Sequence, residues 1–142
     1  MRIVLGTNVW VSGLLWTGPP WQVLRLAEQG RIRIIATPSM IDEILGVLAR
    51  PKFRGRLQEL RLPIPAIREY VLSLVTLVPD PPSTTADPIV PDDPDDDMFL
   101  LCAAAAGARC VVSGDRFLLE ASGYGGIPVV TASEFLSRWP ER

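Results

Sequence analysis

The chain has no histidine and only two cysteines among its 142 residues. The lack of histidine excludes Ser-His-Asp and Cys-His catalysis, and two cysteines without histidine cannot form an ordinary zinc site. Carboxylates are therefore the side chains left for acid–base or metal-binding chemistry, and oxygen ligands suit hard ions such as Mg²⁺ or Mn²⁺. Cys102 and Cys110 are predicted to be buried thiols of the core.

Long apolar runs are also missing, because no run approaches the roughly 18 residues that a membrane span requires. The N-terminal MRIVLGTNVW enters a strand pattern directly, so no signal peptide is predicted and a cytoplasmic location is expected. With 48% hydrophobic residues, the chain is long enough for about one domain with a sizeable core.

Lysine is nearly absent, since 13 of the 14 basic residues are arginine. The acidic residues are unevenly placed: residues 80–97 contain seven of the 16 and no basic residue, which leaves nine acidic against 14 basic residues elsewhere. This distribution favours an acidic pocket on a basic body, which could present a metal to a polyanion. A mixed surface without a partner is the alternative.

The most informative stretch is residues 91–115, PDDPDDDMFLLCAAAAGARCVVSGD, with five aspartates in the six positions 92–97. Asp93 as N-cap and Pro94 at the first helical position would place Asp93, Asp96 and Asp97 on one helix face. Three carboxylates at such short separations repel one another unless a cation lies among them. Solvated acids that only cap a helix are the alternative interpretation.

The residues after this acidic run predict a scaffold for it. Residues 98–108 are apolar nearly all round and indicate a buried helix, and residues 109–113 indicate a buried strand. Gly114 then turns the chain, so that Asp115 lies just past the end of the strand. Ligands bind at that edge in open α/β sheets.

The remainder of the chain alternates predicted strands with predicted helices. The strands are residues 2–5, 32–36 and 127–130; the helices are residues 9–16, 21–29, about 39–49, 63–78 and about 132–139. A proline-rich and aspartate-rich loop, residues 79–94, leads to the acidic helix. This alternation, without a repeat or a dividing linker, predicts one three-layer α/β domain with a parallel sheet.

Residues 50–61, RPKFRGRLQELR, carry five basic residues and one acid. Such a segment could contact nucleic-acid phosphates without reading sequence. An exposed amphipathic helix is the alternative. The candidate RNA contacts are Arg50, Lys52, Arg54 and Arg56.

Several motifs occur in a recognisable order: LGTNV, PSMIDEILGVLARPKF, DPDDDMFLLCA, VVSGD and a terminal EFL. Across essentially the whole chain they resemble the PIN-domain family, and most closely the toxin components of bacterial toxin–antitoxin systems. The resemblance implies a single PIN-like domain over residues 1–142, with an α/β/α architecture and a central, mostly parallel sheet. It also implies a Mg²⁺- or Mn²⁺-dependent endoribonuclease, usually a homodimer, that an antitoxin protein inhibits.

The same resemblance implies roles for individual residues. Glu43, Asp96 and Asp115 match the catalytic acids, and together with Asp97 they match the metal ligands. Either Asp96 or Asp97 can face the metal, and Asp96 is preferred. Thr7, Asn8 and Ser113 match the polar positions that support these acids.

Two positions depart from the family pattern. Gly6 stands where the family has an aspartate that binds the metal, and Phe117 stands where the family often has another acid. Three explanations remain open: inactivation of an otherwise ordinary nuclease, which is the preferred hypothesis, a non-catalytic module that binds RNA or an antitoxin, or an active enzyme whose other acids suffice. A structural domain whose aspartates only cap helices is a further alternative.

Overall fold

The computed structural model describes residues 1–82 and 87–139, and a five-stranded sheet forms their centre. The strands are β1 (Arg2–Leu5), β2 (Arg33–Ala36), β3 (Val75–Leu77), β4 (Val111–Val112) and β5 (Val129–Val130). Their spatial order is β3-β2-β1-β4-β5, and every neighbouring pair is parallel. The predicted three-layer α/β/α architecture is confirmed, with a sheet that is parallel throughout.

Helices cover both faces of this sheet. They are α1 (Thr7–Leu15), α2 (Pro19–Glu28), α3 (Pro38–Leu48), α4 (Arg54–Leu60), α5 (Ile64–Leu74), α6 (Asp97–Ala106), α7 (Arg116–Glu120) and α8 (Ala132–Arg138). The strand order advances one way from β1 to β3 and the other way from β4 to β5. Right-handed crossovers therefore place α6 on the face opposite α1 to α5. Consistent with this, α6 packs on β1 and β2, while α1 packs with α2 and α3.

The core lies on both sides of the central strands. Ile3, Val4 and Leu5 of β1 are each at most 1% exposed, because helices exclude water from both faces of a parallel sheet. Trp10 on one face and Phe99 on the other are equally buried. The continuous apolar run at the start of the sequence is thus the signature of a central parallel strand.

Local capping sets where two of the helices begin. The buried Thr37 accepts the Met40 N–H at 3.3 Å through Oγ1, and Pro38 occupies the first position of α3. Thr131 and Glu134 form a reciprocal capping box at α8, with both bonds at 3.1 Å. This capping box marks the start of the C-terminal helix that the sequence predicts.

Three predicted elements are corrected. The helix predicted for residues 63–78 ends at Leu74, because the next residues pair with β2 as β3. The strand predicted for residues 109–113 is confined to β4. Asp93 caps no helix through its side chain; a 3₁₀ turn, Pro94–Asp96, follows it and α6 begins at Asp97. Residues 83–86 of the predicted proline-rich loop lie outside the described residues.

The apolar segment after the acidic run is helical as predicted, but it is not buried all round. Phe99, Leu100, Cys102 and Ala103 are buried, while the alanines at 104 and 105 are exposed. The basic segment forms a 3₁₀ turn, Pro51–Phe53, followed by α4. Among the described residues, no helix combines the length and apolar character needed to cross a membrane.

We expect both thiols to be unreactive in the native chain. Both are buried, and burial raises the pKa of Cys102 to about 11 and that of Cys110 to about 12. A thiol with its pKa two units above the ordinary value reacts about 100-fold more slowly near neutral pH, because the thiolate is the nucleophile. Titration with a chromogenic disulfide at pH 8 should label both cysteines only after denaturation. Exposed Ser133→Cys is the fast-reacting control, and native labelling at the control's rate would contradict the assigned core.

Candidate functional site

A cleft of about 190 Å³ lies at the carboxyl ends of β1 and β4. These strands are neighbours in the sheet, but the chain leaves them in opposite directions, so the cleft occupies a topological switch point. Its lining combines acidic, hydroxyl, amide and apolar side chains with an arginine. They are Thr7, Asn8, Glu43, Val47, Arg50, Asp93, Asp96, Phe99, Ser113, Asp115 and Leu118.

Gly6 links the two strands at the base of this cleft. Its N–H donates to the Val112 carbonyl at 2.8 Å, and Thr7 and Asn8 follow it at the start of α1. The Gly6 backbone has φ −68° and ψ 158°, an extended conformation that any residue adopts. A Cβ placed there would lie 3.1 Å from Oγ and 3.2 Å from Cβ of Ser113, so the Ser113 side chain would have to move by a few tenths of an ångström.

Glu43 reaches the cleft from α3. The Thr7 hydroxyl donates to Glu43 Oε2, which ties the start of α1 to α3. Val47 lies four residues after Glu43 on the same face of α3, and Arg50, two residues past the end of this helix, also lines the cleft. The side chain of Glu43 is half-buried, and Arg50 is exposed at the rim.

Asp115 enters the cleft just past β4. Its Oδ2 accepts the Leu118 N–H at 2.9 Å and so caps α7, while its own N–H donates to Ser113 Oγ at 3.0 Å. Ser113 is only 2% exposed. These bonds hold the backbone of Asp115 at the strand end with its half-buried side chain on the cleft wall.

The 3₁₀ turn before α6 separates neighbouring aspartates. Asp93 and Asp96 line the cleft. Asp97 is directed toward the preceding loop, where its two carboxylate oxygens accept the N–H groups of Ile89 at 3.0 Å and Val90 at 2.8 Å. The predicted common face for all of these aspartates is therefore wrong, because the turn is tighter than an α-helix.

Carboxylate crowding dominates the electrostatics of the cleft. The pKa of Asp96 rises from 3.8 to about 7, first because the group is partly buried and then because Asp93, Asp115 and Glu43 place negative charge around it. Protonated Asp96 also shares a hydrogen bond with Asp93. The helices α1, α6 and α7 begin beside the cleft, and their positive dipole ends offset part of the repulsion.

The side-chain oxygens in the cleft are metal ligands of the type that hard divalent cations prefer. The carboxylates of Glu43, Asp96 and Asp115 are oxygen donors, and positive charge would relieve their mutual repulsion. Across residues 1–82 and 87–139, however, no three acidic or thiol side chains are close enough together to hold an ion as they stand. Glu43 is instead directed toward the Thr7 hydroxyl.

The structure brings most of the residues singled out from the sequence into the cleft: Thr7, Asn8, Glu43, Asp96, Ser113 and Asp115. Asp97, the first residue of α6, does not line the cleft. Phe117, the second departure from the family pattern, is half-buried beneath the Arg116 guanidinium, which lies 5.1 Å from the ring centre.

The four candidate RNA contacts have different surroundings. Arg50 lines the cleft. Lys52 Nζ lies 5.1 Å from the ring centre of Phe53. Arg54 is exposed beside a separate groove, whereas Arg56 donates from Nε to the Leu15 carbonyl at 2.8 Å. Of the four, only Arg50 lines the cleft that contains the carboxylates.

Sequence reasoning missed two features of the cleft. Asp93 was predicted to cap the helix and to share a face with Asp96 and Asp97, but it was not assigned to the site; the structure places it in the cleft with Asp96. The apolar part of the lining was not anticipated. It consists of Val47, Phe99 and Leu118, and only the spacing of Val47 from Glu43 in the sequence pointed to it.

Comparisons with known proteins identify the family of the chain and a solved structure that is similar to it. A family model described as PIN domain matches residues 2–117. A solved chain from the crystal structure of PAE2754 from Pyrobaculum aerophilum is 16% identical, with a TM-score of 0.49 and coverage of 96% of this chain and 94% of that chain. No curated protein matches the chain.

The raised pKa of Asp96 predicts a pH-dependent stability of the metal-free protein. A raised carboxyl pKa favours folding while the group is protonated, and this contribution is lost as the pH rises from about 4 through about 7. In EDTA, Asp96→Asn should therefore raise the melting temperature above that of the parent at pH 8 and change it little at pH 4.5. Asp95→Asn, at an exposed position outside the cleft, is the matched control. Equal effects of Asp96→Asn at both pH values would contradict the electrostatic assignment.

Proposed function

We propose, from the premise that the chain belongs to the PIN domain family, that it is a divalent-metal-dependent endoribonuclease of the toxin–antitoxin type, weakened or inactivated by Gly6. PIN domains are generally nucleases, which makes hydrolysis of a phosphodiester the reaction class to test first. The proposal applies to a single PIN-like domain over residues 1–142.

One observation supports the proposal most strongly. Glu43, Asp96 and Asp115 come from distant parts of the sequence and line the same cleft at the carboxyl edge of the sheet. Folding them together costs electrostatic energy, as the raised pKa of Asp96 indicates. Helix capping does not require that cost, since Asp115 caps α7 with Oδ2 alone and Asp93 and Asp96 make no side-chain cap.

The residues of the cleft divide into metal-binding and positioning groups. We assign Glu43, Asp96 and Asp115 to bind Mg²⁺ or Mn²⁺, which supplies Lewis acidity toward the phosphodiester and its attacking water when bound. Of the two adjacent aspartates, Asp96 is preferred as the ligand because the carboxylate of Asp97 binds two backbone N–H groups. Thr7 orients Glu43, and Ser113 orients Asp115.

Arg50 is assigned to the substrate phosphate. Of the described residues that line the cleft, it alone is basic. A guanidinium can donate two parallel hydrogen bonds to phosphate oxygens, and at the rim it would draw the RNA backbone toward the acids. Lys52 and Arg54 are exposed on the adjoining segment, outside the cleft.

The motif resemblance supports the finer parts of the proposal. They are a homodimer, an antitoxin protein as the inhibiting partner, and a cytoplasmic location. A second candidate function is a non-catalytic module that binds RNA or an antitoxin. Gly6 and Phe117 favour it, because both stand where the family pattern has acids.

We expect Gly6→Asp to raise cleavage of a mixed single-stranded RNA in Mn²⁺ or Mg²⁺ by about tenfold or more, equivalent to about 1.4 kcal/mol of transition-state stabilisation. The backbone at this position accepts aspartate, and the new carboxylate would enter the cleft beside Ser113. Gly6→Ala controls for the steric effect of a Cβ. Gly6→Asp combined with Asp96→Asn should be inactive.

The variants also separate the two candidate functions. Cleavage by Gly6→Asp but not by the double variant supports the nuclease. If neither the parent nor Gly6→Asp cleaves RNA while the chain binds RNA or an antitoxin, the non-catalytic module is correct. Equal gains with Gly6→Ala and Gly6→Asp would show that the carboxylate is not the cause.

Arg50→Gln should lower kcat/KM for RNA cleavage by about tenfold in the Gly6→Asp background and reduce the salt slope of RNA binding by about one, the effect of one lost phosphate contact. Arg54→Gln removes the same charge outside the cleft and is the matched control. Equal losses for the two variants would indicate a diffuse basic surface and contradict the specific role of Arg50.

A further inference from the structure

We propose that Asp93 supplies the additional carboxylate that Gly6 does not provide, so that this chain keeps a metal-binding cleft despite the glycine. This inference rests on the proposed function, because it concerns the same cleft. It adds a ligand that the motif resemblance does not assign and makes Gly6 compatible with retained metal binding.

The surroundings of the aspartates in this region distinguish Asp93 from its neighbours. Both carboxylate oxygens of Asp97 accept hydrogen bonds from backbone N–H groups, and one carboxylate oxygen of Asp115 does so. Asp92 and Asp95 are exposed and do not line the cleft. Asp93 directly precedes a helical turn, yet its side chain makes no capping bond; it lines the cleft, where it shares a hydrogen bond with Asp96.

Backbone contacts hold Asp93 in this position. Its N–H donates to the Val90 carbonyl at 3.1 Å, and its carbonyl accepts the Asp96 N–H at 3.0 Å. The bonds from Ile89 and Val90 to Asp97 fasten the segment just before it. Asp97 is therefore a positioning residue for the loop that carries Asp93.

The surroundings of Gly6 support the same assignment. At Gly6 the nearest side chain is that of Ser113, which brings a hydroxyl and no charge. Without Asp93, the acids lining the cleft would be Glu43, Asp96 and Asp115. Asp93 raises the number of acids in the cleft to four. Its carboxylate comes from the α6 side of the cleft, whereas an acid at position 6 would come from the β1 side.

Calorimetric titration of the full chain with MnCl₂ alone tests this assignment without measuring cleavage. Asp93→Asn should weaken Mn²⁺ binding by about tenfold or more, since even an outer-shell partner of a metal is worth that much. Asp95→Asn, which removes the same charge from the same turn, should change affinity by less than about twofold. In the Gly6→Asp background, Asp93→Asn should cost less, because the restored acid replaces it.

The outcomes separate this inference from the proposed function. Equal Mn²⁺ affinities of Asp93→Asn and Asp95→Asn would overturn the role of Asp93. Binding by Gly6→Asp but not by the parent would also overturn it and would leave the proposed nuclease standing. If neither binds Mn²⁺, both proposals fall. Melting temperatures in EDTA identify any variant that has lost its fold.

Discussion

Parallel pairing between β1 and β4 is the contact on which the cleft depends. Val4 pairs with Val111 and Leu5 with Val112, so the residues that follow each strand emerge side by side. The Gly6 N–H extends this ladder by donating to the Val112 carbonyl. Because side chains alternate between the faces of a strand, a slip of one residue would exchange the side chains that face the two helical layers and would separate the two walls of the cleft.

The direction of the strands also determines where the helix dipoles lie relative to the charged side chains. Helices begin at the carboxyl edge of a parallel sheet, so their positive dipole ends lie beside the clustered acids. At the opposite edge Arg2, Arg31 and Arg33 line a concavity near the strand starts. Helices end there, and arginines complement their negative ends. Part of the basic charge of the sequence thus lies at the edge opposite the clustered acids, whereas Arg50 lines the acidic cleft itself.

Gly6 illustrates the difference between a residue that the backbone requires and one that it merely permits. Its extended φ and ψ do not demand glycine, in contrast to Gly107, whose positive φ of 65° ends α6. The constraint on a larger residue at position 6 comes from Ser113, the residue after β4. An acid at this position and the orientation of Asp115 are therefore coupled, because Ser113 Oγ accepts the Asp115 N–H.

The sequence by itself determined the layered architecture and most of the acids in the cleft. Buried strands and amphipathic helices are encoded by local apolar periodicity, and the ends of parallel strands must meet at one edge. Thus the pattern placed Asp115 at the end of a strand before the fold was known, and the motif resemblance indicated Glu43; the structure places both in the same cleft.

Tertiary structure decided what depends on non-local contacts. Val75 to Leu77 became a strand because β2 offers them a partner, although their apolar pattern continues that of α5. Asp97 was separated from Asp93 and Asp96 because the amides of Ile89 and Val90 bind its carboxylate. Sequence spacing fixes direction only along a regular helix, and a 3₁₀ turn changes the angle between successive side chains. The orientation of each aspartate was therefore set by the loop packed beside it.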